Sequence, residues 1–316
     1  MLFGKRYCPI GLDFGSKFVK AVQLREERGK FVLFRYAVAD LAAGCLDKGV
    51  IVDQGVLKKT LKQLLKNGFK DRAVNFCISG QQIRLHTSLF PALSDGELRE
   101  AAYWEMEQEL KGEIDDPVVD CLVIGEEEQE GQLMLKVLIA AVPRAVVRGY
   151  LSVLEGVGLE PSALEIKQIP LFRMLQGCSP ERGRFVLILD IGAEETIFVV
   201  TDGEKIATAG GIDMGIDSPE GFSAETLLVE IQRLLKFFNA NIFDEKKLIR
   251  QLFLAGGGSS IKGVFPYLKE NLQVGVQIMD PFSTFFLPGR GLKDQEFYNL
   301  VPLFMVALGS SMRRYT

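Results

Sequence analysis

The sequence has very little histidine or tryptophan. Among 316 residues there is one histidine, His86, and one tryptophan, Trp104. A single histidine cannot form a histidine-dependent zinc site or a serine triad, and the alternation of apolar and polar residues around His86 is typical of a strand. The cysteines form no Cys-x-x-Cys pair, which favours a reducing cytosol over a disulfide framework; they are Cys8, Cys45, Cys77, Cys121 and Cys178.

Excess basic charge and long apolar runs are also absent. Lys and Arg total 37 against 41 Asp and Glu, so the formal charge of −4 gives no sign of a nucleic-acid-binding surface. No apolar run approaches the ~20 residues that span a bilayer. The N-terminus leads directly into a strand pattern, so no signal peptide is expected. With 47% apolar and 25% charged residues, the chain is expected to be globular and long enough for two domains.

One pattern occurs twice. An apolar run leads into an Asp-x-Gly turn, and two further β-rich runs follow. In the first copy, which we call the first hairpin, the turn carries Asp13 and Gly15; in the second hairpin it carries Asp190 and Gly192. This repetition predicts a duplicated α/β architecture with one such unit in each of two lobes. The runs are 10–16, 18–24 and 31–39 in the first copy, and 185–192, 196–200 and 205–209 in the second.

Helix signals follow each copy. Asp53 is predicted to cap a helix to Leu65, and Ser94 with Glu97 forms a capping-box start for a helix to about residue 110. Helical spacing also predicts helices over 143–155, 224–238 and 261–272. Strands over 118–124 and 133–142, joined by an acidic turn at 126–131, complete a small α+β subdomain. The expected domains are 1–92 with 162–182 for the first lobe, 93–161 for the inserted subdomain, and 183–316 for the second lobe.

Three glycine-bearing strand ends have the composition of a phosphate and base site. In the first hairpin, a glycine turn lets backbone N–H groups approach phosphate oxygens, and Ser16 and Lys20 add donors. Asp13 and Asp190 are each placed to hold Mg²⁺ through water. The third strand end, 252–259, opens into Gly256-Gly-Gly-Ser259, where a side-chain-free backbone can lie against a flat base. Each turn alone is typical of ordinary hairpins, but the three in this order are more specific.

These segments resemble the phosphate-1, phosphate-2 and adenosine motifs of the actin, Hsp70 and sugar-kinase superfamily. Over nearly the whole chain, the sequence is similar to the PilM family of type IV pilus assembly proteins, relatives of the division protein FtsA. The segments 91–98, 101–105, 150–161, 280–282 and 306–309 also carry the likeness.

The resemblance implies an actin-like fold, with two lobes around a nucleotide cleft and an FtsA-like or PilM-like inserted subdomain. It also implies ATP or ADP with Mg²⁺ as cofactors. The metal would lie near Asp13 and Asp190. The implied nucleotide-binding residues are Gly15, Ser16, Lys17, Lys20, Asp190, Gly192, Ala193, Glu194, Thr196, Gly256, Gly257, Gly258 and Ser259. The implied partners are the cytoplasmic tail of a PilN-like membrane protein and other pilus assembly proteins. The protein would then be cytoplasmic and peripheral to the inner membrane.

Two parts of the sequence depart from this pattern. Only about a dozen residues separate the second hairpin unit from the helix at 224, where relatives place further helices that hold the ribose. In the bridging segment 164–169, Glu165 and Gln168 are the candidates for positioning a catalytic water, although a solvated helix start explains both. Slow or absent ATP turnover is therefore expected, because phosphoryl transfer depends on positioning and electrostatic stabilisation.

Several functions stay open at this point. The favoured one is a binding module that couples a nucleotide cleft to a membrane protein's tail. The alternatives are a small-molecule phosphotransferase on the same fold, a scaffold that binds no nucleotide, and a self-associating actin-like polymer or the cytoplasmic part of a GspL-type secretion protein. Trp104 is either an interface anchor or plain core.

Overall fold

The computed structural model describes residues 6–175, 184–218, 221–240, 248–281 and 300–313. Its strands are β1 (Arg6–Phe14), β2 (Phe18–Glu27), β3 (Lys30–Asp40), β4 (Leu46–Asp47), β5 (Val50–Ile51), β6 (Ala73–Ile78), β7 (Arg84–Pro91), β8 (Pro117–Gln129), β9 (Gln132–Pro143), β10 (Glu160–Ile166), β11 (Val186–Ile191), β12 (Thr196–Thr201), β13 (Ile206–Ile212), β14 (Gln251–Ala255) and β15 (Gly275–Ile278). Its α-helices are α1 (Gln54–Leu65), α2 (Asp95–Leu110), α3 (Arg144–Glu155), α4 (Gln168–Leu175), α5 (Ala224–Ala240), α6 (Val264–Asn271) and α7 (Met305–Ser311).

Two five-stranded sheets share one topology. Their strand orders are β3-β2-β1-β6-β10 and β13-β12-β11-β14-β15. In each sheet the central strand pairs antiparallel with the next strand in the chain and parallel with a later strand. The equivalent order and direction confirm the duplicated α/β architecture that the repeated sequence pattern predicts, and they agree with the two-lobed actin-like fold that the family resemblance implies.

Local capping explains where two of the helices begin. The Asp53 carboxylate accepts a hydrogen bond from the Val56 N–H at 2.9 Å, which satisfies one of the free donors in the first turn of α1. At the start of α2, Ser94 and Glu97 form the predicted capping box. Both helices end where the sequence predicts, at Leu65 and Leu110.

The inserted subdomain differs from the expected range 93–161. Its sheet has the order β7-β9-β8, so it includes β7, which the expected boundary left in the first lobe. In contrast, Tyr150, Val153 and Leu154 of α3 pack in the core of the first lobe, and β10 pairs with β6 in the first sheet. The reason is tertiary: α3 buries its apolar face under the first sheet rather than on the third.

Two predicted loops are more ordered than expected. β8 continues through the acidic stretch to Gln129, so only Glu130 and Gly131, both with positive φ, form the turn. After β14, Gly257–Ser260 forms a 3₁₀ turn, and α6 begins at Val264 rather than at 261. In both places cross-strand pairing or a local hydrogen-bonded turn continues beyond the point where composition predicts a loop.

The helix α7 returns to the first lobe and packs against β1 and α4. The Ser311 hydroxyl donates to the Pro9 carbonyl oxygen at 2.8 Å, and the Asn75 side-chain amide donates to the Ser310 carbonyl oxygen at 3.0 Å. A Cβ at Gly11 would lie 2.0 Å from the Ala307 carbonyl oxygen, so glycine at this point of β1 allows the helix to approach. The largest apolar cluster spans both lobes through this helix.

Cys45 and Cys77 are buried free thiols, whereas Cys8 and Cys121 are half-buried. The placement of Cys8 and Cys77 in strands agrees with their apolar surroundings in the sequence. Cys178, Phe282 and the last three residues lie outside the described residues. In the described part of the chain, no helix is both long and apolar enough to span a bilayer.

Candidate functional site

The three glycine-bearing strand ends meet at one cavity between the lobes, which we call the interlobe cleft. Its volume is about 450 Å³, within the size range of small-molecule sites. Gly15, Gly192 and Gly256, one from each segment, all line it. The other predicted residues that line it are Ser16, Lys17, Lys20, Asp190, Ala193, Glu194 and Gly257.

The first and second hairpins have the same turn geometry. The Gly15 N–H donates to the Phe18 carbonyl oxygen at 3.0 Å, and the Gly192 N–H donates to the Glu195 carbonyl oxygen at 2.9 Å. A Cβ at Gly192 would lie 2.7 Å from that acceptor, so a side chain there would disturb the turn. The two residues after each glycine therefore occupy equivalent positions in the two turns, and all four line the cleft.

Both turns leave backbone donors unused. Within the described residues, the amide N–H groups of Ser16, Lys17, Ala193 and Glu194 have no hydrogen-bond acceptor. All four residues line the cleft. Consecutive free N–H groups that face a cavity from two sides can bind the oxygens of an anion such as a phosphate chain.

A buried ionic cluster lies beneath the first hairpin. Asp13 forms ion pairs with Lys20, which faces it across the β1–β2 pairing, and with Lys167, whose Nζ is 2.9 Å from Asp13 Oδ1. The three side chains are at most 10% exposed. Burial by itself would raise the pKa of Asp13, but the two ammonium groups hold that pKa below its ordinary value. Asp13 is therefore an anion held between two cations.

Asp190 has the opposite environment. The residue that faces it across the β11–β12 pairing is Ile197, not a lysine, and within the described residues its carboxylate forms no hydrogen bond or ion pair. Removal from water raises the pKa of Asp190 to about 6, although Lys167 and Lys20 oppose the rise. Burial would lower the pKa of Lys167, but the nearby carboxylates of Asp13, Glu195 and Asp190 raise it, so Lys167 stays charged.

These contacts bear on the predicted magnesium site. Lys20 donates a hydrogen bond to Asp13 Oδ2, and the Lys167 ammonium lies 2.9 Å from Oδ1 as an ion pair without a hydrogen bond, so both oxygens of this carboxylate face cations and it does not fit a role as a ligand of Mg²⁺. At an effective dielectric constant of ~20, two unit charges about 4 Å apart interact by about 4 kcal/mol, and a divalent cation beside one ammonium would be repelled by about twice that. Of the two predicted carboxylates, only Asp190 is open to the cleft.

The third strand end needs glycine at its first position. Gly256 has φ +79°, and a Cβ there would lie 2.3 Å from Asp190 Oδ1.

Three residues that were predicted to bind the nucleotide do not line the cleft; they are Thr196, Gly258 and Ser259. They are buried, and the hydroxyl groups of Thr196 and Ser259 donate to the carbonyl oxygens of Met214 and Gly256, both at 2.7 Å. Their contacts stabilise the second lobe and the 3₁₀ turn.

The two candidates for positioning a water are not solvated, contrary to the interpretation as a helix start. Glu165 is buried on β10, where Arg173 and Arg313 contact its Oε1 at 2.7 and 2.9 Å. Its carboxylate is thereby directed to α4 and to the residues after α7, and it does not line the cleft. Gln168 is also buried, and its side-chain amide donates to the Gly210 carbonyl oxygen at 3.2 Å, beside a neighbouring cavity of about 590 Å³.

Sequence reasoning missed Lys167, which is the most important addition to the site. It lies between β10 and α4, in the same segment as Glu165 and Gln168, the two residues that the sequence offered for positioning a water. The only signal in the sequence was a lysine between Ile166 and Ile169 in an otherwise buried junction. Asp217 was also missed; it contacts Lys17 of the first lobe at 2.6 Å, so it joins the two lobes at the mouth of the cleft.

Comparison with known proteins gives one family. Residues 11–209 and 219–315 match the family model described as type IV pilus assembly protein PilM. Among solved structures, the chain is similar to the PilM-PilN type IV pilus biogenesis complex, with a TM-score of 0.83 and 24% identity over 96% of this chain and 98% of that chain.

Two more distant structures show the same fold. The ethanolamine utilization protein EutJ from Carboxydothermus hydrogenoformans is 14% identical, with a TM-score of 0.54 over 97% of this chain and 89% of that chain. A Bacteroides thetaiotaomicron protein described as having an actin-like ATPase fold is 11% identical, with a TM-score of 0.52 over 87% of this chain and 91% of that chain. With a family match over nearly its whole length and an actin-like arrangement of two lobes, this chain belongs to the PilM family of type IV pilus assembly proteins.

Proposed function

We propose that the protein is a nucleotide-binding component of the type IV pilus assembly machine, which binds ATP or ADP in the interlobe cleft. The observation that carries this proposal is the pair of equivalent hairpins that line one cavity with residues whose N–H groups have no acceptor in the described part of the chain. Lys17, Lys20 and Lys167 add positive charge to the same space. Hydrolysis is expected to be slow or absent, because Glu165 is engaged by two arginines.

Nucleotide binding is tested by calorimetric titration of ATP into the purified full-length protein in the presence of Mg²⁺. The variant Ser16→Glu places a negative charge beside the free N–H groups of the first hairpin, and it is expected to abolish the heat of binding through repulsion of the phosphates. Ser162→Glu, at an exposed position on β10, is the matched control and should bind ATP like the natural protein. Equal heats for Ser16→Glu and the control would contradict phosphate binding at this hairpin.

We also propose that the partner is the N-terminal cytoplasmic tail of a PilN-like membrane protein. The support is the similarity to the PilM-PilN complex. The protein would then be cytoplasmic and reach the inner membrane through this partner. The inserted subdomain offers an aromatic pair for docking: Trp104 of α2 is 56% exposed, so it is not core, and its ring contacts the half-buried Tyr103 edge to face. Exposed tryptophan is enriched at interface hot spots.

Partner binding is tested with a synthetic peptide of the N-terminal segment of a PilN-like protein from the same organism. Trp104→Ala is expected to weaken peptide binding about tenfold or more, while the melting temperature stays unchanged because the side chain is exposed. Val229→Ala, at a 60% exposed position on α5 in the other lobe, is the control. Unchanged affinity in Trp104→Ala would place the docking surface elsewhere.

A further inference from the structure

We infer that the interlobe cleft binds the phosphate chain of its nucleotide without a divalent metal ion, with Lys20 and Lys167 supplying the two positive charges. This inference rests on the proposed nucleotide binding and concerns how the same site neutralises the phosphates. Its basis is the placement of the two lysines on Asp13, at the point where the sequence pattern predicts a metal-associated carboxylate.

The two lysines are fixed by different parts of the fold. Lys20 comes from β2, where the antiparallel register places it opposite Asp13. Lys167 comes from the junction of β10 and α4, and β10 lies two strands from β1, the strand that carries Asp13, in the same sheet. Their side chains are 10% and 8% exposed, so neither can move into water without losing its buried partner. The cluster is therefore a permanent part of the floor of the cleft.

Each ammonium keeps donors for a ligand. A lysine ammonium has three N–H groups; Lys20 uses one of them in its hydrogen bond to Asp13, and Lys167 pairs with Asp13 through charge without a hydrogen bond. Both Lys20 and Lys167 line the cleft, so the remaining N–H groups are available to phosphate oxygens. Two ammonium groups carry the same charge as one Mg²⁺ ion. They would act together with the free N–H groups of the two hairpins.

A metal would be a poor addition to this arrangement. Mg²⁺ in nucleotide sites usually lies on one or two carboxylates plus phosphate oxygens. Here an ammonium group lies against each oxygen of Asp13, and Asp190 lies close enough to Lys167 for the two charges to interact. A cation on Asp190 would thus meet the charge of Lys167. Nucleotide binding should consequently depend little on divalent cations.

The test is calorimetric titration of ATP into the full-length protein in excess EDTA and, separately, in excess MgCl₂. The expected result is a dissociation constant that differs by about threefold or less between the two buffers. Binding that requires MgCl₂ would overturn the inference and leave the proposed nucleotide binding intact. No heat in either buffer would refute both. This comparison uses the natural protein, so it does not depend on any variant folding.

Variants then assign the effect to Lys167. Lys167→Met keeps the length of the side chain but removes its charge and frees Asp13 Oδ1, so ATP binding in EDTA should weaken about tenfold or more and recover at least partly in MgCl₂. Lys167→Arg should bind ATP in EDTA like the natural protein. Lys262→Met, at an exposed position next to α6, is the matched control for loss of a lysine. Metal-independent binding that is unchanged in a folded Lys167→Met protein would contradict the role of Lys167.

Discussion

The first and second hairpins share a backbone design but differ in electrostatics. Both have an aspartate, a glycine two residues later, and an N–H bond from that glycine across the turn. The difference lies in the facing strand, where Lys20 is opposite Asp13 and Ile197 is opposite Asp190. Asp13 is therefore an anion paired with two cations in a fixed cluster. Asp190 has no ion-pair partner among the described residues, and its removal from water makes it harder to ionise. A duplicated fold does not imply a duplicated chemical role.

Removal of the Asp13 charge should have the largest effect on stability, because it takes away the feature that distinguishes the first hairpin from the second. Asp13→Asn removes the one carboxylate that forms ion pairs with both buried ammonium groups, so the free energy of unfolding should fall by about 3–5 kcal/mol. Urea unfolding of the full-length protein measures it. Asp40→Asn, at an exposed position at the end of β3, is the control and should change stability by less than about 0.5 kcal/mol. A loss as small as that of the control would mean that the cluster does not need its anion.

A double variant tests whether Asp13 and Lys167 are directly coupled. If the loss in Asp13→Asn comes from unpaired lysines, removal of one of them in the double variant Asp13→Asn/Lys167→Met should restore part of the stability. The two residues are in contact, so their effects should be far from additive. Additive losses in urea unfolding would contradict direct coupling.

The next effect concerns the packing difference between the two central strands. β1 has Gly11 where β11 has the buried Ile188, because only β1 is covered closely by α7. Gly11→Ala should lower the free energy of unfolding by about 1–3 kcal/mol, since its Cβ would overlap the Ala307 backbone. Gly211→Ala is the control in β13, where the nearest atom to a new Cβ is 4.0 Å away. Equal melting temperatures for the two variants would show that α7 is not held against β1.

Asp190 should behave in the opposite way to Asp13 when its charge is removed. Folding raises the pKa of Asp190 from 3.8 to about 6. The neutral carboxyl group does not destabilise the fold below pH 3.8, but its ionisation does, so stability is lost as the pH rises through the folded pKa of about 6. Asp190→Asn should therefore stabilise the protein at neutral pH, by on the order of 2 kcal/mol. The gain should shrink between pH 6 and 3.8. Melting temperatures over this range measure it, and a pH-independent difference would contradict the assigned titration.

The smallest expected effect is at the exposed contact between the lobes. Lys17 and Asp217 are about half exposed, so Asp217→Asn should change the free energy of unfolding by no more than about 1 kcal/mol. Any effect should decrease at high salt, because exposed ion pairs are screened. Urea unfolding at low and high ionic strength checks both statements. A loss that persists at high salt would indicate that Asp217 acts through packing and not through charge.

The sequence predicted the parts of this protein that depend on nearby residues. Period-two runs and Asp-x-Gly turns identified both hairpins, and side-chain caps at Asp53 and Ser94 marked the starts of α1 and α2. The prediction was weaker where contacts come from distant segments. Thr196 and Ser259 carry hydroxyl groups, which often bind phosphate, but these hydroxyl groups donate hydrogen bonds to backbone carbonyl oxygens of the second lobe.

Glu165 and Lys167 show most clearly that the sequence does not predict contacts with distant segments. The two residues are separated by one position, yet Glu165 pairs with arginines of α4 and of the chain after α7, while Lys167 pairs with Asp13. No local pattern distinguishes these partners.

The sequence by itself determined the two hairpins and the starts of α1 and α2, because periodicity, turn glycines and caps act over a few residues. Its motifs also carried the resemblance to the family. Only the tertiary structure decided that Asp13 is held between two lysines and that Asp190 is not. The physical reason is that the charge state of a buried carboxylate depends on groups brought to it from distant strands, in an environment where water no longer screens them.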